Sequence, residues 1–374
     1  MPAIKITSSI EEVKGSTPDF SNERRAFCVA LQDNGELIRL ENDSPASFTE
    51  AIGKSSIAWI DYWADNLDKE IFPIAESLGF SSGVVTTLMA NKLAGYEDFD
   101  TELGLILPAV NVKGLDVQVS PLVILIRKNL IVTLHGRELK RFIIFRRYAA
   151  TFIKKLPAHA LPNDRLTIIL SRIIDESNKR NFDHLREIED QGDKISKQLL
   201  ETSMPASKTA PKIYKMKHAL ITYLNILWAS LDVINNLRYG DAELLTDDEP
   251  ILARVGLLGQ DVRSQIGLAE HMSEVLASGL EVLTQVYNNQ LQTLNNRLAL
   301  AVAYMTIIGT AVLVPNTLAT ILSNSVFNLT PADQGWFIAL MIGSTVISVI
   351  AVYWWIRKQQ WLHSEIKEEK TKNT

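Results

Sequence analysis

The stretch YMTIIGTAVLVPNTLATILSNSVFNL, residues 304–329, decides how this sequence is interpreted, because it is apolar enough for a bilayer yet carries repeated hydroxyls. It overlaps a run of 22 residues, 301–322, that contains no Asp, Glu, Lys or Arg, and a second such run covers 335–356. A helix rises about 1.5 Å per residue, so each run reaches about 33 Å, enough to cross a hydrocarbon core. We therefore predict two transmembrane helices; the alternative is a pair of buried helices in a soluble core.

The basic residues that flank the two runs predict their orientation. Arg297 precedes the first run, Arg357 and Lys358 follow the second, and the connecting loop 323–334 has no Lys or Arg. Because positive charge favours the cytoplasmic side, we expect both termini inside the cell, a short extracellular loop, and a basic cytoplasmic tail at 357–374. The sequence thus predicts a multi-pass protein of the cell membrane, plasma or bacterial inner.

A long helical pattern leads into the first run. Apolar residues recur every three or four positions from Val255 to Leu298, which is the spacing of one helix face. Residues 246–249, TDDE, have the form of a capping box, and Pro250 suits a first turn. We predict one helix over 250–322. Such a helix needs neighbours along its stripe, either in an ordinary bundle or, as we favour, in a stalk that forms a homo-oligomer.

The region before this helix has a mixed pattern. Residues 33–35, Asp-Asn-Gly, join two alternating segments and predict a hairpin. Strands are predicted at 27–31, 36–40, 57–63, 103–112, 121–127 and 129–134, and helical segments at 164–201 and 212–239. The fold class is therefore an α+β cytoplasmic domain, a mixed sheet with flanking helices, followed by a stalk helix continuous with the first of two transmembrane helices. The predicted divisions are 1–160 (α/β domain), 161–245 (cytoplasmic helices), 246–300 (stalk), 301–322 (pore-lining first span), 323–334 (loop), 335–356 (second span) and 357–374 (tail).

Composition and motifs argue against several other classes of protein. The chain has 374 residues, a net charge of −5 and one cysteine, Cys28. A nucleic-acid partner would require a basic stripe, and a structural zinc site would require more Cys or paired His. No phosphate-binding Gly-rich loop occurs. We expect a protein that is not an enzyme and has no organic cofactor. An acidic group at Asp61, Asp65, Asp68 and Glu70 is interpreted as surface.

The hydroxyls of the first span fall on one helix face. Steps of three and four residues connect the members of this face: Thr306, Thr310, Leu313, Thr317, Thr320 and Asn324. Either the threonines bond to their own helix carbonyls, or identical helices around an axis present this face to a narrow pore. Its uncharged oxygens suit a cation that keeps its water, and Mg²⁺ dehydrates reluctantly.

Two further features belong to this interpretation of the first span. Pro315 is expected to bend the helix and to expose a carbonyl near the threonine face. The extracellular mouth is expected at Ser323, Ser325, Asn328 and Asp333.

Several short motifs resemble the CorA family of divalent-cation channels. Asn296-Arg297-Leu298 stands before Thr306-Ile307-Ile308 at the family spacing, Pro315 and Thr317 match a P-x-T motif, and 357–362 matches the basic tail. The resemblance implies an α/β cytoplasmic domain, a stalk helix continuous with the first span, a second span and a homopentamer in the lipid bilayer. It also implies passage of divalent cations, Mg²⁺ first and then Co²⁺ or Ni²⁺, down the electrochemical gradient.

The sequence departs from the family in several places, among them the pore signature, a pore asparagine lower in the span that is replaced by Ala299, and the regulatory site. The signature Gly-Met-Asn after the first span is replaced by Asn324-Ser325-Val326, which puts the asparagine two places early. The family is regulated by Mg²⁺ between subunits; Asp261 matches the stalk ligand, whereas residues 84–87, Val-Val-Thr-Thr, supply no carboxylate opposite it. Two alternatives stay open: a transporter of Zn²⁺ or another metal, with or without coupling to protons, and a non-conducting membrane-anchored scaffold or sensor.

Overall fold

The computed structural model describes residues 24–91, 93–157, 160–200, 206–240, 242–323 and 331–358. They belong to two compact units, Met1–Gly279 and Leu280–Thr374. Among the described residues, the first unit contains the sheet and most of the helices, and the second contains helical segments.

A seven-stranded mixed sheet forms the centre of the first unit. Its strands follow the order β2-β1-β3-β7-β6-β5-β4; only the β3–β7 pair is parallel. This confirms the predicted mixed sheet with flanking helices. The strands are β1 (Ala26–Gln32), β2 (Leu37–Asn42), β3 (Ser55–Ala64), β4 (Gly95–Asp98), β5 (Glu102–Lys113), β6 (Asp116–Arg127) and β7 (Leu130–Gly136).

Helices cover both faces of the sheet, which explains why its central strands are almost wholly apolar. Trp59 and Ile60 are neighbours in β3, yet they enter two different hydrophobic clusters on opposite faces. One face packs against α2 and α3, and the other against α4 and the longer helices that follow. The helices are α1 (Thr49–Gly53), α2 (Leu67–Ser77), α3 (Ser82–Ala90), α4 (Lys140–Ile153), α5 (Pro162–Asn178), α6 (Asn181–Leu200), α7 (Ala206–Tyr239), α8 (Glu249–Leu322) and α9 (Gln334–Lys358).

A buried ion pair lies in the middle of the sheet. Asp61 of β3 is fully buried and accepts a hydrogen bond of 2.6 Å from Nε of Arg146 on α4. The Thr133 hydroxyl also donates to its carboxylate, and Nε2 of His135 lies 3.3 Å away. Burial acts to raise the pKa of Asp61, but Arg146, His135 and the hydrogen bonds outweigh it and hold that pKa well below its usual range. The expectation that Asp61 belongs to a surface acidic group is therefore wrong.

Arg146 also anchors the chain where β1 begins. Its Nη1 donates to the carbonyl of Arg24 at 2.7 Å, and its Nη2 donates to the carbonyls of Arg25 at 2.9 Å and Asp61 at 3.1 Å. The guanidinium thus bonds three backbone carbonyls and one carboxylate, as a buried Arg must to offset its lost hydration.

A second buried polar group connects the helices of the first unit. Nδ1 of His184 on α6 lies 3.2 Å from the hydroxyl of Tyr223 on α7, and that hydroxyl donates to Oδ1 of Asn181 at 3.1 Å. Nδ2 of Asn181 donates to Oε1 of Gln265 on α8 at 2.9 Å. All four side chains are buried, so the contacts fix the register of the three helices.

Two helices of the chain have the length and composition of membrane spans. One is the apolar end of α8 and the other is Gln334–Trp355 within α9, and almost none of either segment is buried. A core helix of a soluble protein would be mostly buried, so the exposure argues against the soluble-core alternative. Helix α8 begins one residue before the predicted position and ends at the predicted one.

Candidate ion path

Four threonines follow one face of the first span, and all four are exposed. Each hydroxyl donates to the backbone carbonyl four residues earlier, which confirms the alternative expectation that the hydroxyls bond within their own helix. These bonds run from Thr306 to Val302, from Thr310 to Thr306, from Thr317 to Leu313 and from Thr320 to Asn316, each at 2.8 Å.

This hydrogen bonding determines which donors and acceptors the exposed face presents. A hydroxyl has one proton and two lone pairs. Because the proton is directed to the backbone, the free side of each oxygen is an acceptor, which attracts cations or the hydrogens of their water. Leu313, which is 63% exposed, is the apolar member of the same face.

The opposite face of the first span is partly buried. Ala311 is 6% exposed, and Ile307, Pro315 and Leu318 are half-buried. The helix continues through Pro315. Because Pro315 shares the covered face with Ala311, its missing N–H leaves a carbonyl on that side of the helix. The exposure of a carbonyl near the threonine face stays a prediction.

The predicted mouth is described only in part. The Ser323 hydroxyl donates to the carbonyl of Ala319 at 2.6 Å, just after the end of α8. Oδ1 of Asp333 accepts a hydrogen bond of 3.1 Å from Nε1 of Trp336, so this carboxylate holds the start of α9. The other members of the predicted mouth and pore lie outside the described residues: Asn324, Ser325 and Asn328. Arg357 and Lys358 form the last turn of α9.

An apolar stripe on α8 precedes the first span in the second unit. Its members are large hydrophobic side chains that are exposed to solvent. Free helices do not expose such a stripe to water without a partner. The stripe consists of Tyr287 (50% exposed), Leu291 (41%), Leu294 (54%) and Leu298 (63%).

The predicted regulatory position lies on α8 in the first unit. Asp261 is exposed there. On α3, Val84 and Val85 are buried, whereas Thr86 and Thr87 are exposed, with hydroxyls that donate to the carbonyls four residues earlier. Within the described residues, no three His, Cys, Asp or Glu side chains form a group that would hold a metal ion.

Comparisons with known proteins identify the family and the fold. A family model described as CorA-like Mg²⁺ transporter protein matches residues 54–358. The complete structure of the CorA magnesium transporter from Methanocaldococcus jannaschii is similar, at 19% identity and TM-score 0.66 over 90% of this chain and 98% of that one. The full-length CmaX protein is similar too, at 14% identity and TM-score 0.54 over 91% of this chain and 100% of that one. These likenesses show a shared fold. No curated protein matches.

Proposed function

This chain belongs to the CorA-like Mg²⁺ transporter family, and from that premise we propose that it is a membrane channel for divalent cations, Mg²⁺ first, with Co²⁺ and Ni²⁺ as further substrates. Members of this family transport ions and are not enzymes. In the proposed mechanism, hydrated cations move down their electrochemical gradient through a central pore between identical subunits.

The observation that carries the proposal is the threonine face of α8. Thr306, Thr310, Thr317 and Thr320 are exposed and direct their protons to the backbone. The backbone bonds satisfy the hydroxyl protons, and the outward lone pairs of the oxygens remain as acceptors that a water-filled path would use. Around an axis, rings of hydroxyl oxygens accept hydrogen bonds from the water of a passing ion, and Mg²⁺ retains that water.

The proposed oligomer follows from the exposed apolar stripe of Tyr287, Leu291, Leu294 and Leu298. In a closed ring, each copy of α8 can cover the stripe of one neighbour with a different part of its own surface. The resemblance to the CorA family implies a homopentamer, and the basic flanks of the two spans support an orientation in the cell membrane with both termini in the cytoplasm.

For regulation, we propose Asp261 as a ligand of Mg²⁺ between subunits. It is exposed on α8, and the exposed hydroxyls of Thr86 and Thr87 stand where the family resemblance puts the opposite ligand. Hydroxyls bind Mg²⁺ more weakly than carboxylates do. Regulation by this site would therefore require a higher Mg²⁺ concentration than a site built from two carboxylates.

The direct test is ion flux into liposomes that contain the purified full chain. An internal indicator reports Mg²⁺, and Co²⁺, Ni²⁺ and Zn²⁺ are tested in parallel. Entry of Mg²⁺ above that in empty liposomes is the expected result. Entry of Zn²⁺ alone, with a dependence on the pH gradient, would assign a different substrate. No entry of any cation, from protein shown to be folded and oligomeric, would overturn the proposal and favour a scaffold.

A further inference from the structure

The segment of α8 before the first span has an unusual composition. Residues 282–296 contain no charged side chain, although Glu281 and Arg297 flank them directly. Seven of these fifteen residues are Asn or Gln. Asparagine is a poorer helix former than Ala, Leu, Glu or Lys, and an exposed helix in water is ordinarily rich in charged residues. Helix propensity and solubility therefore do not explain the choice of amides.

Three of the amides continue the threonine face towards the cytoplasmic end. At about 100° per residue, Asn288, Gln292 and Asn295 lie within about 40° of the direction of Thr306 on the helix. Ala299 connects the amide stretch to the threonines on the same face. The apolar stripe of Tyr287, Leu291, Leu294 and Leu298 lies beside this face, so association along the stripe leaves the amides on the side of the axis.

The side chains of these three amides are exposed to solvent. In the part of the chain that the structure describes, none of Asn288, Gln292 and Asn295 has a side-chain hydrogen bond to its own subunit. Each amide has an oxygen acceptor and an NH₂ donor. In a confined path, the oxygens accept hydrogen bonds from the water around a cation without holding it as a carboxylate would.

We propose that Asn288, Gln292 and Asn295 form an amide-lined cytoplasmic section of the ion path that contacts hydrated divalent cations. This inference rests on the proposed pore. Glu281 lies on the same face, about two turns further from the span. It is the first charged side chain of that face and attracts cations to the cytoplasmic end of the section.

Neighbouring residues of the same type provide matched controls. Gln290 is exposed and lies on the opposite side of the helix from Gln292, and Asn289 lies about 100° from Asn288. In liposomes, Gln292→Leu and Asn295→Leu should each lower Mg²⁺ flux on the order of tenfold. Gln290→Leu and Asn289→Leu should change it by less than about twofold. Size-exclusion profiles establish that each variant forms the same oligomer.

A second measurement covers the case in which a leucine variant fails to assemble. Gln292→Cys would place thiols from several subunits around the axis, where they bind the soft ion Cd²⁺ together. We expect Cd²⁺ at micromolar concentration to block Mg²⁺ flux in this variant, and a chelator to restore the flux. Gln290→Cys should not be blocked. Cys28 is buried and does not interfere.

The outcomes separate this inference from the proposed function. If the unsubstituted protein conducts Mg²⁺, but Gln292→Leu conducts like Gln290→Leu and Gln292→Cys is insensitive to Cd²⁺, the amide section does not exist. The amides would then serve packing between helices. If the unsubstituted protein conducts no cation, the proposed function and this inference both fall.

Discussion

Arg146 and Asp61 form an ion pair in which neither side chain reaches solvent, with 2.6 Å between Nε and the carboxylate oxygen. The pair joins α4 to the centre of the sheet. Because the same guanidinium bonds the carbonyls of Arg24 and Arg25, it also positions the start of β1.

Removal of this arginine should strongly destabilise the first unit. Arg146→Met leaves Asp61 buried without its cation, and breaking a buried pair in this way costs about 3–5 kcal/mol. The control is Arg172→Met, which breaks an exposed pair with Asp175 of the same 2.6 Å length and should cost less than about 1 kcal/mol. Thermal unfolding of the full chain in detergent measures both. Equal effects of the two substitutions would contradict the structural role of Arg146.

The free energy of unfolding should decrease as the pH is lowered from 6.5 towards 4, because of His184. Burial, with the nearby Arg180 and Arg141, lowers the pKa of His184 from 6.5 to about 4. Between pH 6.5 and 4, the imidazole of His184 binds a proton in the unfolded chain but stays neutral in the folded chain. The contribution of this residue to stability is therefore fully present above pH 6.5 and declines as the pH falls towards 4. The loss is on the order of 3 kcal/mol. His184→Gln should flatten unfolding curves measured across this window; an unchanged slope would assign the dependence to other groups.

The threonine face can be tested by removing one hydroxyl at nearly constant volume. Thr317→Val should lower Mg²⁺ flux several-fold, since the ring then presents methyl groups where acceptor oxygens were. Thr345 is the matched control because it lies on α9 and makes the same backbone bond, to Met341 at 2.8 Å. Thr345→Val should leave flux unchanged. If both variants conduct like the unsubstituted protein, Thr317 does not line the pore.

Asp261 should set the Mg²⁺ concentration at which the channel closes. Asp261→Asn removes the carboxylate, so we expect inhibition by cytoplasmic-side Mg²⁺ to require a higher concentration while flux at low Mg²⁺ persists. Glu274→Gln, an exposed carboxylate on the same helix, serves as the control. An inhibition curve that does not move with Asp261→Asn would remove this residue from regulation.

Cys28 should be inert in the folded protein. Burial raises the pKa of its thiol to about 12, and thiols react as thiolates. We expect no labelling by a maleimide under native conditions and full labelling after denaturation. Labelling of native protein at the rate of a free thiol would show that β1 opens readily.

Local features of the sequence are enough to predict much of this fold. The turn at 33–35 predicts the β1–β2 hairpin, in which Gly35 has a φ of +82° that suits glycine. The spacing from Val255 to Leu298 predicts α8, and the length of the uncharged runs predicts both spans. These features require no knowledge of distant partners.

Features that depend on distant partners are not predicted. Helix α4 begins with Lys140 and Arg141, and cations in a first turn oppose the helix dipole, so the sequence gives no start signal there. Strand β4 ends in Glu97 and Asp98, poor strand residues that pair because the edge of β5 is available. Asp61 resembles a surface residue until Arg146, 85 positions later, is placed beside it.

The topology of the sheet also determines when the first unit can fold. Strand β3 pairs in parallel with β7, so one of its edges has no partner until the chain has been extended through Gly136. The Asp61 carboxylate has no cationic partner until Arg146, which is synthesised later than β7. Closing loops of this length costs entropy before any contact offsets it, which slows folding. During synthesis, the ribosome must therefore release α4 before the sheet can close, while the two spans are still to be made.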